Sequence, residues 1–481
     1  MSRLVVVSNR TADPRKAAAG GLAVAVKESL QQTGGLWFGW SGKLRDDVPG
    51  TGSEGTRGSD IKLQTVGNVQ LATIDLTQED HDTYYLGYSN KVLWPVFHYR
   101  LDLAKFNVRF AAGYRRVNQL FARKLMSLLR PDDIIWVHDY HLIPLATELR
   151  ALGCRNRIGF FLHIPMPPPL IMAAIPEHEW LMRSLFAYDL VGFQSEADVT
   201  HFAGYVESEA QADRLPGNRL RAFERTLRVG AYPIGIDVDE FARQARGRDG
   251  VEMFEQIRHE YSRRRLLLGV DRLDYSKGLP QRVHAFRELL ASYPENRNSA
   301  TLIQIASPSR EDVGAYDDLR VEMDSLCGAI NGDYGELDWM PVRYIHRNVA
   351  RKRLPGLYRA SRVALVTPLR DGMNLVAKEF IAAQDPSDPG VLVLSRFAGA
   401  AEQLKEALLV NPYDTQGTAL AIQRALTMSI EERTARHAAL MRRIRQFDVH
   451  WWSSSFLTDL SSTESSGHVE GTVSSPVHLP D

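Results

Sequence analysis

The sequence predicts an α/β protein built as two domains facing each other across a cleft. Three observations lead there. Short, unbroken aliphatic runs recur along the chain, many followed by stretches of good helix formers. The runs fall into two series that part near YPIGIDVDEF (232–241). The length, 481 residues, is more than a single core usually serves, since domains average roughly 150 residues.

The first series is LVVVS (4–8), DIIWVH (133–138), IGFFLHI (158–164) and LVGF (190–193). The second is LLLGV (266–270), TLIQIA (301–306), VALVTP (363–368) and VLVLS (391–395). Continuous rather than alternating apolar residues mark strands covered on both faces, as in parallel sheets packed between helices. Residues 237–262 are polar and helical in pattern, and residues 45–60 read as an exposed, turn-rich loop. A boundary after residue 236 gives domains 1–236 and 237–446. Residues 447–460 are expected to pack back on the first domain, and 461–481 to form a disordered tail.

Composition excludes several classes of function. Fifty-eight basic residues balance 58 acidic ones, so there is no electrostatic case for a nucleic-acid or polybasic membrane partner. Cys154 and Cys327 are far apart, which rules out a disulfide framework and a cysteine-built zinc site. The start, MSRLVVVSNR, holds four consecutive apolar residues, too few for a signal or a membrane span. A cytoplasmic location is expected.

The segment VTPLRDGMNLVAKEF (366–380) reads as a strand, a turn and a helix start. Such a junction offers backbone N–H groups to an anion. Asp371 lies just before them, and Glu379 is about 12 Å further along. Capping by Asp371 and solvation of Glu379 are the plain alternatives. In LLLGVDRLDYSKGLPQR (266–282), Arg272 and Lys277 flank a polar turn and could neutralise a diphosphate without a metal. A solvated loop is the plain alternative there.

The N-terminal half adds SNR (8–10), AGGLA (19–23), WFGWSG (37–42), YYLGYSNKVLWPVFHYR (84–100), WVHDYHLIP (136–144) and FFLHIPMP (161–168). Arg10 ends a buried strand and could meet a phosphate. Gly20 and Gly21 would let a backbone approach a ligand closely. No GxGxxG fingerprint is present. His138 and His141 flank Asp139, but nothing follows at ligand spacing, so no metal site is expected. His163 after a strand is an ordinary core histidine on these grounds alone. Asp237 and Asp239 precede a helical pattern, where capping is expected.

Together SNR, GGLA, WFGWSG, LWPVFHYR, HDYHL, FFLHIP, RLDYSKGLP and PLRDGMNLVAKE resemble the UDP-forming α,α-trehalose-phosphate synthases, from residue 3 to about 455. The resemblance implies the GT-B fold, with two Rossmann-like domains: the first for the acceptor, the second for the nucleotide sugar. It implies retaining transfer of glucose from UDP-glucose to glucose 6-phosphate, with no cofactor or metal, by a homo-oligomer. Arg272 and Lys277 would neutralise the diphosphate, and Glu379 would bind the ribose. Asn374, Leu375 and Val376 would line the nucleotide site. Asp371, with the amides of Gly372 and Met373, would hold the donor glucose, and His163 would touch it near its reacting face. Gly20 and Gly21 would belong to a loop closing over the donor. Arg10, Tyr85 and Arg310 would bind the acceptor phosphate, and Trp94 and Asp139 would position its sugar.

Two departures stand out. TADPRKAAAGGL is shorter than in some relatives, and Val349 stands where some place an aromatic residue on the nucleotide. No fused phosphatase is expected. A sister activity on ADP-glucose and glycerol 3-phosphate shares the scaffold and stays open. A silent sugar-phosphate-binding regulator is opposed by the intact Arg272, Lys277, Asp371 and Glu379.

Overall fold

The computed structural model of the chain describes residues 2–11, 30, 34–45, 61–309 and 314–463. Gly20, Gly21 and Arg310 lie outside the described residues, as do most of the 45–60 loop and nearly all of the 461–481 tail.

Among the described residues the strands form two sheets. The first holds β1 (Leu4–Arg10), β2 (Gly35–Arg45), β3 (Lys62–Val66), β4 (Val69–Thr77) and β5 (Ile134–His138). It continues with β6 (Arg157–Phe161), β7 (Leu190–Phe193), β8 (Asp213–Leu215), β9 (Arg219–Ala222) and β10 (Arg225–Ala231). The second holds β11 (Arg265–Arg272), β12 (Ala300–Ser307), β13 (Val342–Ile345), β14 (Val363–Val366), β15 (Val391–Ser395) and β16 (Leu408–Val410).

The first sheet runs β3-β4-β2-β1-β5-β6-β7-β10-β9-β8, parallel from β4 to β10, with antiparallel strands at both edges. The second runs β13-β12-β11-β14-β15-β16 and is parallel throughout. Each of the eight predicted strands is present. Their central residues are buried because helices cover both faces, which is what the unbroken apolar runs require.

Both sheets reverse their direction of growth at one place. In the first, the chain steps from β1 outward to β2, and later returns to add β5 on the other side of β1. In the second, β12 and β13 extend one side of β11, and β14 then starts the other. Ligands of open α/β sheets bind beyond the carboxyl ends of the strands at such switch points. Arg10 and Asp139 sit at the first, Arg272 and Asp371 at the second.

The last helix, Val449–Ser462, lies on the first sheet although it follows the second in the chain. Trp452 and Phe456 are fully buried against Trp136, with ring centroids 4.8 and 4.9 Å away. Gly159 and Gly192 make room for Phe456, since a Cβ at either would meet its ring at 2.8 Å. No described helix is long and apolar enough to cross a membrane.

Candidate active site in the cleft

At the first switch point, Ser8 accepts from Trp37 Nε1 at 2.8 Å and donates to the Arg10 carbonyl at 3.0 Å, which shapes the SNR end of β1. Asn9 accepts from the Tyr84 hydroxyl at 2.9 Å. The Arg10 guanidinium, exposed to solvent, lies 5.7 Å from the Trp40 ring centre. Tyr85 meets the same tryptophan at 5.7 Å and stacks on His141 at 6.0 Å. Arg10 and Tyr85 therefore border one aromatic wall, though 75 residues separate them. Tyr85 rides on a π-helix, His81–Leu93, that delivers Trp94 at its end.

Asp139 follows β5 with φ at +76°, a backbone state uncommon outside glycine and often found at functional positions. Its Oδ1 accepts from the His163 backbone N–H at 3.2 Å. The His163 ring lies 3.1 Å from His138 Nδ1 through Nε2, and 3.3 Å from the Gln194 amide through Nδ1. Burial pushes His163 down to about 3 and His138 well below the ordinary histidine range. Both rings are neutral near pH 7, so His163 offers a fixed dipole rather than a proton.

At the second switch point a buried ion pair ties the strand ends together. Arg282 donates to Asp271 at 2.5 Å, Thr367 at 2.9 Å and Gln304 at 2.9 Å, joining β11, β12 and the end of β14. The turn after β11 then packs on the loop after β14: Leu369 N donates to the Ser276 carbonyl at 2.8 Å. Gly278, at φ +62°, has no space for a side chain beneath the Thr367 carbonyl.

That packing sets Lys277 Nζ 2.5 Å from Asp371 Oδ2, and Asn374 donates to the same oxygen at 3.0 Å. Asp371 is thus no helix cap. Asn374 occupies the cap position of the helix Leu375–Ala383, at φ +80°, and no side chain caps the first turn. The Asp371 loop is zipped to the following segment by Gly399 N to the Asp371 carbonyl and Ala400 N to that of Met373. Glu379 is not solvated either. Its side chain is 14% exposed, with Arg351 4.0 Å away and the Tyr358 hydroxyl donating at 3.3 Å. Burial raises its carboxyl, opposed by those two partners. Val349, Leu375, Val376 and Met373 lie against one apolar cluster beside it.

The two switch points meet. The Arg272 guanidinium lies 5.9 Å from the Trp94 ring centre, spanning the cleft. Gly372 backs onto the His163 carbonyl so closely that a Cβ there would sit 2.2 Å from the oxygen. Arg370 lies 4.6 Å from Tyr99, and Arg100 5.4 Å from Tyr275. Glu402 accepts from the Glu196 and Ala197 N–H groups at the start of a helix on the first sheet, at 3.1 and 3.3 Å.

Sequence reasoning assigned no role to His98, Tyr99, Gln194 or Arg370. His98 is buried under Trp94, its ring 4.1 Å away. Burial pushes it down to about 4, with Asp274, Lys277 and Asp371 of the other half within electrostatic reach. For His98, Tyr99 and Arg370 the available signal was their place inside LWPVFHYR and PLRDG, motifs read for other residues; Gln194 lies in neither.

The HDYH segment does not assemble ligands. His138 turns to His163 and His141 to Tyr85, and among the described residues no group of three or more His, Cys, Asp or Glu side chains gathers for a metal. Asp237 caps the helix Val238–Arg246 by accepting from Glu240 N at 2.9 Å, and Asp239 lies at the surface beside Arg445.

Comparison with known proteins agrees with this geometry. The family model for glycosyltransferase family 20 matches residues 4–462. A trehalose-6-phosphate synthase of Sinorhizobium fredii is 50% identical over 468 residues, covering 96% of this chain and 99% of the relative. An α,α-trehalose-phosphate synthase (UDP-forming) from Burkholderia xenovorans, solved in complex with glucose-6-phosphate, superposes with a TM-score of 0.90 at 48% identity. That match covers 96% of this chain and 100% of the other. The trehalose-6-phosphate enzyme of E. coli bound with UDP-2-fluoro glucose gives a TM-score of 0.90 at 48% identity, covering 96% and 99%. With its two facing α/β sheets, its cleft between two switch points and this likeness over nearly its whole length, the chain belongs to glycosyltransferase family 20.

Proposed function

We propose that the chain transfers glucose from UDP-glucose to glucose 6-phosphate with retention, giving α,α-trehalose 6-phosphate and UDP. The observation that carries this reading is the meeting of Arg272 with Trp94 across the cleft, a cation suited to a diphosphate beside an aromatic ring suited to a sugar. The relatives named above favour it over the ADP-glucose and glycerol 3-phosphate alternative, since they are trehalose-phosphate synthases and one holds glucose-6-phosphate.

In this reading UDP-glucose lies along the helix Leu375–Ala383, with its ribose at Glu379 and its base near Val349, Leu375 and Val376. The uncapped helix start, the Gly372 and Met373 amides and Asp371 hold the glucose. Lys277 keeps donor capacity beyond its bond to Asp371, because an ammonium carries three N–H groups. It and Arg272 take up charge as the diphosphate departs. The leaving oxygen then accepts the acceptor's proton on the face where the acceptor attacks, which retains the anomeric configuration. Closure of the halves keeps water from competing. Gly20, Gly21 and Arg310 complete the donor loop and the acceptor phosphate site. The division near residue 236 separates acceptor from donor binding, and the protein works as a cytoplasmic homo-oligomer.

Arg10→Ala tests the acceptor half. A charge-assisted bond to phosphate contributes roughly 1.5–3 kcal/mol, so the KM for glucose 6-phosphate should rise about tenfold or more. UDP affinity by calorimetry should stay unchanged. A collapse of UDP affinity with a steady acceptor KM would move Arg10 to the donor site. The function itself is tested by offering UDP-, ADP- and GDP-glucose against glucose 6-phosphate and glycerol 3-phosphate. The expected pair is UDP-glucose with glucose 6-phosphate.

A further inference from the structure

Lys378 is fully buried, and neither of its two partners is a carboxylate. Its Nζ donates to the Ile234 carbonyl and to Gln403 Oε1, both at 2.7 Å. Ile234 belongs to the crossover between the two sheets, while Lys378 stands on the helix Leu375–Ala383 that begins at the Asp371 loop. The peptide group before Ile234 is held as well. Its N–H donates to Gln194 Oε1 at 3.0 Å, and Gln194, just past β7, is 2% exposed. One residue of the crossover is thereby held at both of its peptide groups, from the two halves of the molecule.

The clamp fixes more than the crossover. With its oxygen committed to Ile234, Gln194 must turn its NH2 group toward His163, so Nδ1 of that ring accepts at 3.3 Å. A neutral His163 then carries its proton on Nε2 and donates it to His138 Nδ1 at 3.1 Å. Bonds on either side of Ile234 thus link the donor-site helix to the histidine whose carbonyl meets Gly372.

We propose that Gln194 and Lys378 are positioning residues, which fix Ile234 at its N–H and its carbonyl and so hold His163 in the cleft as its Nε2–H tautomer. This rests on the reading of His163 as a neighbour of the donor sugar. Residues that orient an active group through one hydrogen bond commonly carry 10–100-fold of activity, and a buried chain of this kind is sensitive to each link.

Gln194→Glu is the informative change. The carboxylate still accepts from Ile234 N–H but presents an acceptor to His163 Nδ1, so Nδ1 must carry a proton, by a change of tautomer shared with His138 or by uptake of a second proton. His138 is the titratable group bonded to that ring, and Asp139 accepts from the backbone N–H of the same residue. In 15N-histidine-labelled full-length protein, with the signal assigned through His163→Gln, wild type should show Nδ1 unprotonated at pH 7. The variant should show Nδ1 protonated. Its turnover should fall about tenfold or more, while UDP affinity stays within about twofold. Should that variant fail to fold, Lys378→Met, which removes the clamp from the other half, should give the same fall in turnover at steady UDP affinity. A wild-type ring protonated on Nδ1, or a folded variant with wild-type turnover, overturns the proposal. A wild-type chain with the expected tautomer that transfers no glucose would overturn the functional reading instead.

Discussion

Lys277→Ala should lower turnover about 10²–10³-fold, the usual cost of removing one donor aimed at charge that grows in the transition state. The substitution takes away the ammonium and also leaves the Asp371 carboxylate, 15% exposed and 2.5 Å from Nζ, without its cation. Donor binding and donor chemistry should therefore both suffer, with the larger share in kcat. Arg272→Ala should fall in the same range but leave Asp371 paired, so its KM for UDP-glucose should rise less. Steady-state kinetics on folded variants distinguishes the two. Near-wild-type turnover in either would detach that residue from the leaving group.

Gly372→Ala should be almost as damaging, for a steric reason. A methyl group at residue 372 would lie 2.2 Å from the His163 carbonyl oxygen and 3.0 Å from its carbon. Both atoms are backbone, so the halves of the cleft must move apart. A displacement near 1 Å at reacting groups costs about 10²-fold, and kcat/KM should drop by that order. Each half keeps its own core, so the far-ultraviolet circular dichroism should be unchanged. Full activity in Gly372→Ala would show that the halves do not close along this seam.

The strands were legible because parallel sheets need apolar residues on both faces, and that requirement leaves unbroken runs such as LLLGV and VLVLS. The elements that escaped obey a weaker rule. β2 has Gly39 inside its buried stretch and is open after Trp40, β4 is interrupted by the half-buried Gln70, Thr73 and Asp75, and β13 buries only Val342 fully. The π-helix that carries Tyr85 has no helical stripe of apolar residues, because eight of its thirteen positions are buried all round it.

The site was legible where a charged residue follows a strand. Arg10, Asp139, Arg272 and Asp371 could each be picked out as punctuation at a sheet edge. What the sequence does not carry is their pairing. Lys277 and Asp371 are 94 residues apart, and their contact depends on two turns packing through Gly278. The capping alternative for Asp371 looked sound because aspartate is a preferred cap, yet the helix starts one residue after Asn374. The roles of Gln194 and Lys378 have no local signature, since a buried amide and a buried lysine matter only through partners elsewhere in the chain.

The central claim is a retaining transfer between two substrates held from opposite halves of one cleft. Proton NMR of the product made from UDP-glucose and glucose 6-phosphate tests it most directly, with UDP release measured in the same sample. The account predicts one UDP per disaccharide and two α-configured anomeric protons, one from each ring of trehalose 6-phosphate. A β-configured anomeric proton, or free glucose released in step with UDP, would contradict it.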